Sequence, residues 1–159
     1  MKNEIKILSS LTITILLGFI ISSSITSGHK ESLSITNHYF SGSYKDFIFI
    51  LTNNTMSLIV LSFSTIIGIW FIYFFFFING WLIGIYFSKT SFYIFILATI
   101  PHGIIELPTF LLAGLILVHL KQGKTISKKL ILFILIGLII SALIESFVTP
   151  ILLRIFYRE

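Results

Sequence analysis

Apolar positions in this chain neither alternate nor recur at helical intervals; they run on. The predominantly apolar stretches cover residues 5–25, 56–78, 91–100, 104–120 and 130–155. A helix needs roughly 20 residues to cross about 30 Å of hydrocarbon, and residues 56–78 alone would span about 34 Å. Polar residues gather between the runs. Residues 26–46, with Gly28, His29, Lys30, Glu31, His38, Lys45 and Asp46, read as an exposed loop too short for a separate domain. Residues 47–51 read as an apolar approach segment, and Asn53-Asn54-Thr55 then interrupts the run and supplies cap groups for the next helix. The same triplet fits a glycosylation sequon. Asn79-Gly80 follows the 56–78 run, and Gly80 with Gly84 has the spacing of close helix contact, so the pair marks a helix break or a packing face. Trp81 and Tyr86 read as interfacial anchors.

Composition narrows the class. Of 159 residues, 56% are hydrophobic and 11% are charged, against about 25% charged in an ordinary soluble domain. So few charges could not cover a soluble fold, and so much apolar surface excludes disorder. The expectation is a single integral membrane domain over residues 1–159, an all-α polytopic helix bundle. The absence of cysteine removes disulfides, thiolate ligands and cysteine nucleophiles. The net charge of +5 comes from basic residues at the ends of apolar runs, which is how topology is encoded, and no basic groove suggests nucleic acid.

Charge placement then suggests an orientation. Lys2 and Lys6 precede the 5–25 run, which predicts a cytoplasmic N-terminus. A cleavable leader, with Ser22, Ser23 and Ser24 as its small residues, is the competing reading of this segment. Lys121, Lys124, Lys128 and Lys129 predict a cytoplasmic basic loop at 121–129, and the same lysines are a candidate docking surface. With spans at 5–25 and 56–78, a single crossing by 91–120 would put that loop outside. The expectation is therefore a re-entrant hairpin with Pro101-His102-Gly103 at its tip, a conformation tolerated at membrane depth only when buried in protein or lining a cavity. Residues 130–155 form the last apolar segment, broken by Glu145 and Pro150, and the charges leave the side of the C-terminus open.

Two carboxylates, Glu106 and Glu145, fall inside apolar runs, where each is expensive and therefore a candidate for function. His102 is four residues before Glu106, so the two share a helix face. Thr99 could cap a helix starting near Pro101, whose N-terminal dipole would favour the Glu106 carboxylate. Pro108 leaves the Ile104 carbonyl without its helical donor. Ile104-Ile105-Glu106 before Pro108 is echoed by Leu143-Ile144-Glu145 before Pro150, a faint internal repeat. His102, Glu106 and Glu145 make either a satisfied structural pair, a substrate-contact or coupling site, or a hydrolytic centre with a glutamate as base and His102 as acid. No metal-binding spacing is present; His29 and His38, nine apart without carboxylate or cysteine partners, read as solvated, and His119 as interfacial. No cofactor is indicated, and no nucleotide-binding motif is found.

Pro101-His102-Gly103-Ile104-Ile105-Glu106-Leu107-Pro108 resembles the signature of the stage II sporulation protein M (DUF95) family. Asn53-Asn54, Gly68, Asn79-Gly80, Gly84, Gly114 and Thr149-Pro150 support the resemblance across about residues 50–150. It implies a bacterial cytoplasmic-membrane protein that works with partners. The founding members act with cell-wall hydrolases in sporulation, as scaffolds. Short members accompany circular bacteriocins beside ABC-transporter ATPases, in maturation, export or immunity, and this chain is more similar to those in its brevity and small outer loop. The expectation is a membrane subunit acting on a hydrophobic peptide with an ABC ATPase or other membrane subunits, or in a homo-oligomer. A peptidoglycan-remodelling scaffold and an intramembrane peptidase or cyclase are the alternatives.

Overall fold

The structure, a computed structural model, describes residues 2–26 and 42–156. His29 and His38 lie outside the described residues, as does most of the expected outer loop. The described chain folds as α1 (Lys2–Thr26), α2 (Tyr44–Ser62), the short α3 (Ser64–Ile67), α4 (Ile69–Lys89), α5 (Phe92–Lys121), α6 (Lys128–Leu143), a π turn (Ile144–Val148) and α7 (Thr149–Phe156). Five stretches are long and apolar enough to cross a membrane: Asn3–Thr26, Tyr44–Ile67, Ile69–Lys89, Phe92–Lys121 and Lys128–Phe156. The all-α polytopic bundle is as expected, but two local expectations are overturned.

The first concerns residues 44–89. The helix begins at Tyr44, where the Ser43 hydroxyl accepts from Asp46 N–H and the Asp46 carboxylate accepts from Ser43 N–H. It then runs straight through Asn53-Asn54-Thr55. In an apolar setting the helix keeps its own backbone bonds through these residues, and Thr55 Oγ1 donates back to Leu51 O at 2.7 Å. The true break is Gly68, inside the run read as one span. Its φ of 127° is in a region open essentially to glycine, and α3 stops there. Asn79-Gly80 is no break at all; it lies within α4, where Asn79 donates to Phe75 O. Trp81 is likewise inside α4 rather than at its end, whereas Tyr86, near that end, packs its ring on Phe95.

The second correction follows from the first. There is no re-entrant hairpin: Pro101-His102-Gly103 lies within the continuous 30-residue α5, capped by Ser91. Thr99 is accordingly inside α5, and Glu106 lies at that helix's middle rather than in its first turn. The hairpin answers to two spans before residue 91, whereas three apolar helices of spanning length precede α5. With five helices of spanning length, α5 runs straight through the bundle and the basic loop still returns to the end that holds the N-terminus. Glu4, in the first turn of α1, is within electrostatic reach of His119 and Lys124 at that basic end. Gly123, with φ of 72°, closes α5 there, and Ser127 caps α6. The chain reaches Phe156 at the opposite end.

Packing is not in chain order. α1 lies parallel to α4: Ser10 meets Tyr73, Phe19 meets Phe87, and Thr26 meets Ser88. Gly18, Gly80 and Gly84 sit where a Cβ would strike the facing helix. Small residues here let two backbones touch, since hydrocarbon gives no hydrophobic drive for helices to associate. α2 instead packs on α6 and the π turn, and α5 runs through the centre. The core of Leu11, Ile15, Leu61, Ile72, Phe76, Ile116, Leu117, Val118, Ile134 and Leu138, with Phe110 and Ala113, occupies the half nearer the basic end.

Candidate functional site

α5 and α6 are antiparallel neighbours. On α5, His102, Glu106 and Thr109 share one face; on α6 and the π turn, Gly137, Ser141 and Glu145 share the face opposite. Gly137 sets the distance, because a Cβ there would meet Thr109 Cγ2 at 3.2 Å. Thr109 satisfies its hydroxyl on its own Ile105 O at 2.7 Å. With the helices this close, Ser141 Oγ donates to Glu106 Oε2 at 3.2 Å. One turn further along, His102 Nε2 faces Glu145 Oε2 at 4.0 Å.

Three prolines surround the pair of faces. Pro101 and Pro108 each remove a helical N–H from α5, yet the helix continues, as is tolerated where neighbours replace the lost partners. Pro150 has a larger effect. It has no N–H for Ser146 O, and its ring would strike that carbonyl in a regular turn. The chain widens into the π turn, with Thr149 N–H donating to Ile144 O. Thr149 Oγ1 donates to the same oxygen at 3.4 Å. Such single π turns recur at functional sites because they re-aim side chains; the one here carries Glu145.

The three expected residues therefore meet. The donor atoms of His102, Glu106 and Glu145 all lie within 4.8 Å of one another, and this is a set that could hold a metal ion. The side chains of His102 and Glu145 are 15% and 21% exposed, so the centre is only partly covered. Glu106 is halfway along α5, some 20 Å from either end at 1.5 Å per residue. The apolar core lies between the centre and the basic end along α5 and α6. His102 Nδ1 is buried without a partner. Gly103, beside it, has only Thr99 of its own helix near its missing side chain, so packing does not require it.

The other singled-out residues are placed elsewhere. Gly80 and Gly84 belong to the α1–α4 contact, Gly114 makes room for the Phe76 ring, and Gly68 is the break before α4. Lys121, Lys124, Lys128 and Lys129 are exposed around the basic loop, far from the centre. One residue of the site, Ser141, carries no motif in the sequence. Ser141 is fully buried and hydrogen-bonded to Glu106; its position four residues before Glu145 was the available signal. Asn54 caps no helix but is 5% exposed within α2, and its amide nitrogen has no partner.

A polytopic all-α membrane protein with a half-buried histidine–glutamate centre on facing, proline-interrupted helices is thus defined. The family model of stage II sporulation protein M matches residues 7–150, and the chain belongs to that family. The match includes α1, outside the 50–150 core anticipated from the motifs. No curated protein and no solved structure matches the chain.

Proposed function

We propose that the chain is the membrane subunit of a multi-component assembly that handles a hydrophobic, bacteriocin-like peptide in maturation, export or self-immunity, in the bacterial cytoplasmic membrane. The observation that carries this reading is the polar centre at half depth. The apolar core separates it from the basic end, and its side chains are partly exposed among apolar neighbours. A hydrophobic peptide lying against α5 would keep its side chains in apolar surroundings while a main-chain group or terminus met His102 or the glutamates. Energy must come from outside, since the sequence has no nucleotide-binding loop. The lysines around the 122–127 connection support docking of an ABC ATPase, with that end and the N-terminus cytoplasmic under the positive-inside bias.

The test is mass spectrometry of what co-purifies with the tagged protein in mild detergent from its own cells. An ATPase that is lost when the four lysines become glutamate supports the reading. Cell-wall hydrolases in its place refute it and favour the scaffold alternative. One specific observation favours a second reading, an intramembrane peptidase or cyclase: the three candidate acid–base groups do converge. It requires Glu106→Gln to abolish product while partner binding persists; retained processing ends it.

A further inference from the structure

We propose that His102, Glu106 and Glu145 bind one divalent first-row transition cation of borderline softness, with Zn²⁺ as the representative ion. This goes beyond the peptide-handling reading and stands without it.

The first argument is charge. Two carboxylates face each other at half depth in an apolar bundle, and each is costly there unless neutralised. One divalent cation offsets both charges at once. The second is the donor set. One imidazole and two carboxylates from facing helices is the kind of site that helix bundles build in their cores. Mixed nitrogen and oxygen donors suit Zn²⁺ or Fe²⁺ better than the all-oxygen ions Ca²⁺ and Mg²⁺. The third is distance. Around a tetrahedral Zn²⁺ with bonds of about 2.0–2.2 Å, donors sit roughly 3.4 Å apart. Here His102 Nε2 and Glu145 Oε2 are 4.0 Å apart and all three donors lie within 4.8 Å. Side-chain rotation of roughly an ångström closes that gap.

Two further observations point to a ligand rather than a self-contained polar cluster. His102 Nε2, the ring nitrogen that faces the carboxylates, is beyond hydrogen-bond distance of Glu145. That nitrogen is left open to an occupant between the helices. Ser141, meanwhile, holds Glu106 from the side at 3.2 Å, as outer partners of metal-bound carboxylates do. Three protein donors leave a fourth position for water or a peptide carbonyl.

The experiment uses the full chain, purified through a tag without histidine, in detergent and in nanodiscs. Bound metals are counted by elemental mass spectrometry, and the chelated protein is titrated with Zn²⁺ against a fluorescent chelator. One tight equivalent is expected, weakened at least tenfold in His102→Ala, Glu106→Gln and Glu145→Gln and unchanged in His119→Ala. Ser141→Ala, which leaves all three donors in place, should weaken binding about 10-fold to 100-fold. Should the donor variants fail to fold, Co²⁺ loaded into the unaltered protein decides: absorption bands and an X-ray absorption shell of one imidazole and mixed oxygen support the site. Absence of stoichiometric binding, or binding that survives the donor variants, overturns it. Peptide cross-linking on the same preparations separates the two ideas, since a metal-free protein that still captures peptide leaves the functional proposal standing.

Discussion

Replacing Gly80 by alanine should loosen the α1–α4 pair. A Cβ at that position would lie 2.8 Å from the carbonyl carbon of Ile15 and closer still to its oxygen, whereas ordinary contact begins at 3.4 Å. The obstacle is backbone, which cannot swing aside like a side chain. The helices would have to separate by at least half an ångström along a contact that also carries Gly18 against Trp81 and Gly84 against Phe19. Overpacking of this kind costs about 1–3 kcal/mol. Gly103→Ala is the matched control, because its nearest new contact is Thr99 Cγ2 at 3.8 Å and alanine is favoured over glycine within a helix by about 0.8–1.0 kcal/mol. The assay is the midpoint of thermal unfolding in mild detergent, followed by size-exclusion chromatography with fluorescence detection. Gly80→Ala should fall by several degrees and Gly103→Ala should hold or rise. Equal midpoints for Gly80→Ala and the parent would refute the intimate contact argued for these helices.

Three further predictions follow from the same structure. Cysteines at Thr26 and Ser88, in a chain with none of its own, should form a disulfide under mild oxidation, whereas cysteines at Thr26 and Tyr73 should not; the reverse would mean that α1 and α4 are antiparallel. Cysteines at Asn3 and Gly123 should be labelled by an impermeant reagent from one side of the membrane and cysteine at Arg154 from the other, so labelling of all three from one side would break the five-crossing topology. Gly68→Ala should cost about 1–3 kcal/mol in the same thermal assay despite open space around it, because the penalty is the φ of 127° itself; an unchanged midpoint would show that α3 and α4 are not joined in that conformation.

Much of the candidate site was legible. His102 and Glu106 share a face by spacing alone, and Glu145 stood out as a charge in an apolar run. Their convergence depends on how α5 and α6 pair, which spacing within one helix cannot specify. The misreadings share a physical cause. Pro101, Pro108 and Asn53-Asn54-Thr55 look like punctuation because in water freed backbone groups find solvent and polar side chains cap helices. In hydrocarbon there is no solvent to turn to, so the helix persists through them. Gly68, the actual break, is flanked by isoleucines and carries no polar signal. Missing it removed one crossing, and the charge rule then forced a hairpin that the chain does not need.

The pairing of the first helix with the fourth has a consequence for biogenesis. A nascent chain enters the bilayer from its N-terminus, so the small-residue groove around Gly18 and Ser22 is presented to lipid while α2 and α3 are still being made. Its partner arrives only after the intervening crossing has been threaded the other way. During that interval α1 is an unmatched half of an interface, open to pairing with the same groove of another copy or to an insertase that shields it. The late arrival of α4 makes assembly of this bundle a matter of translation timing, and slowing the ribosome between residues 44 and 89 should lower the yield of folded protein without altering its final stability.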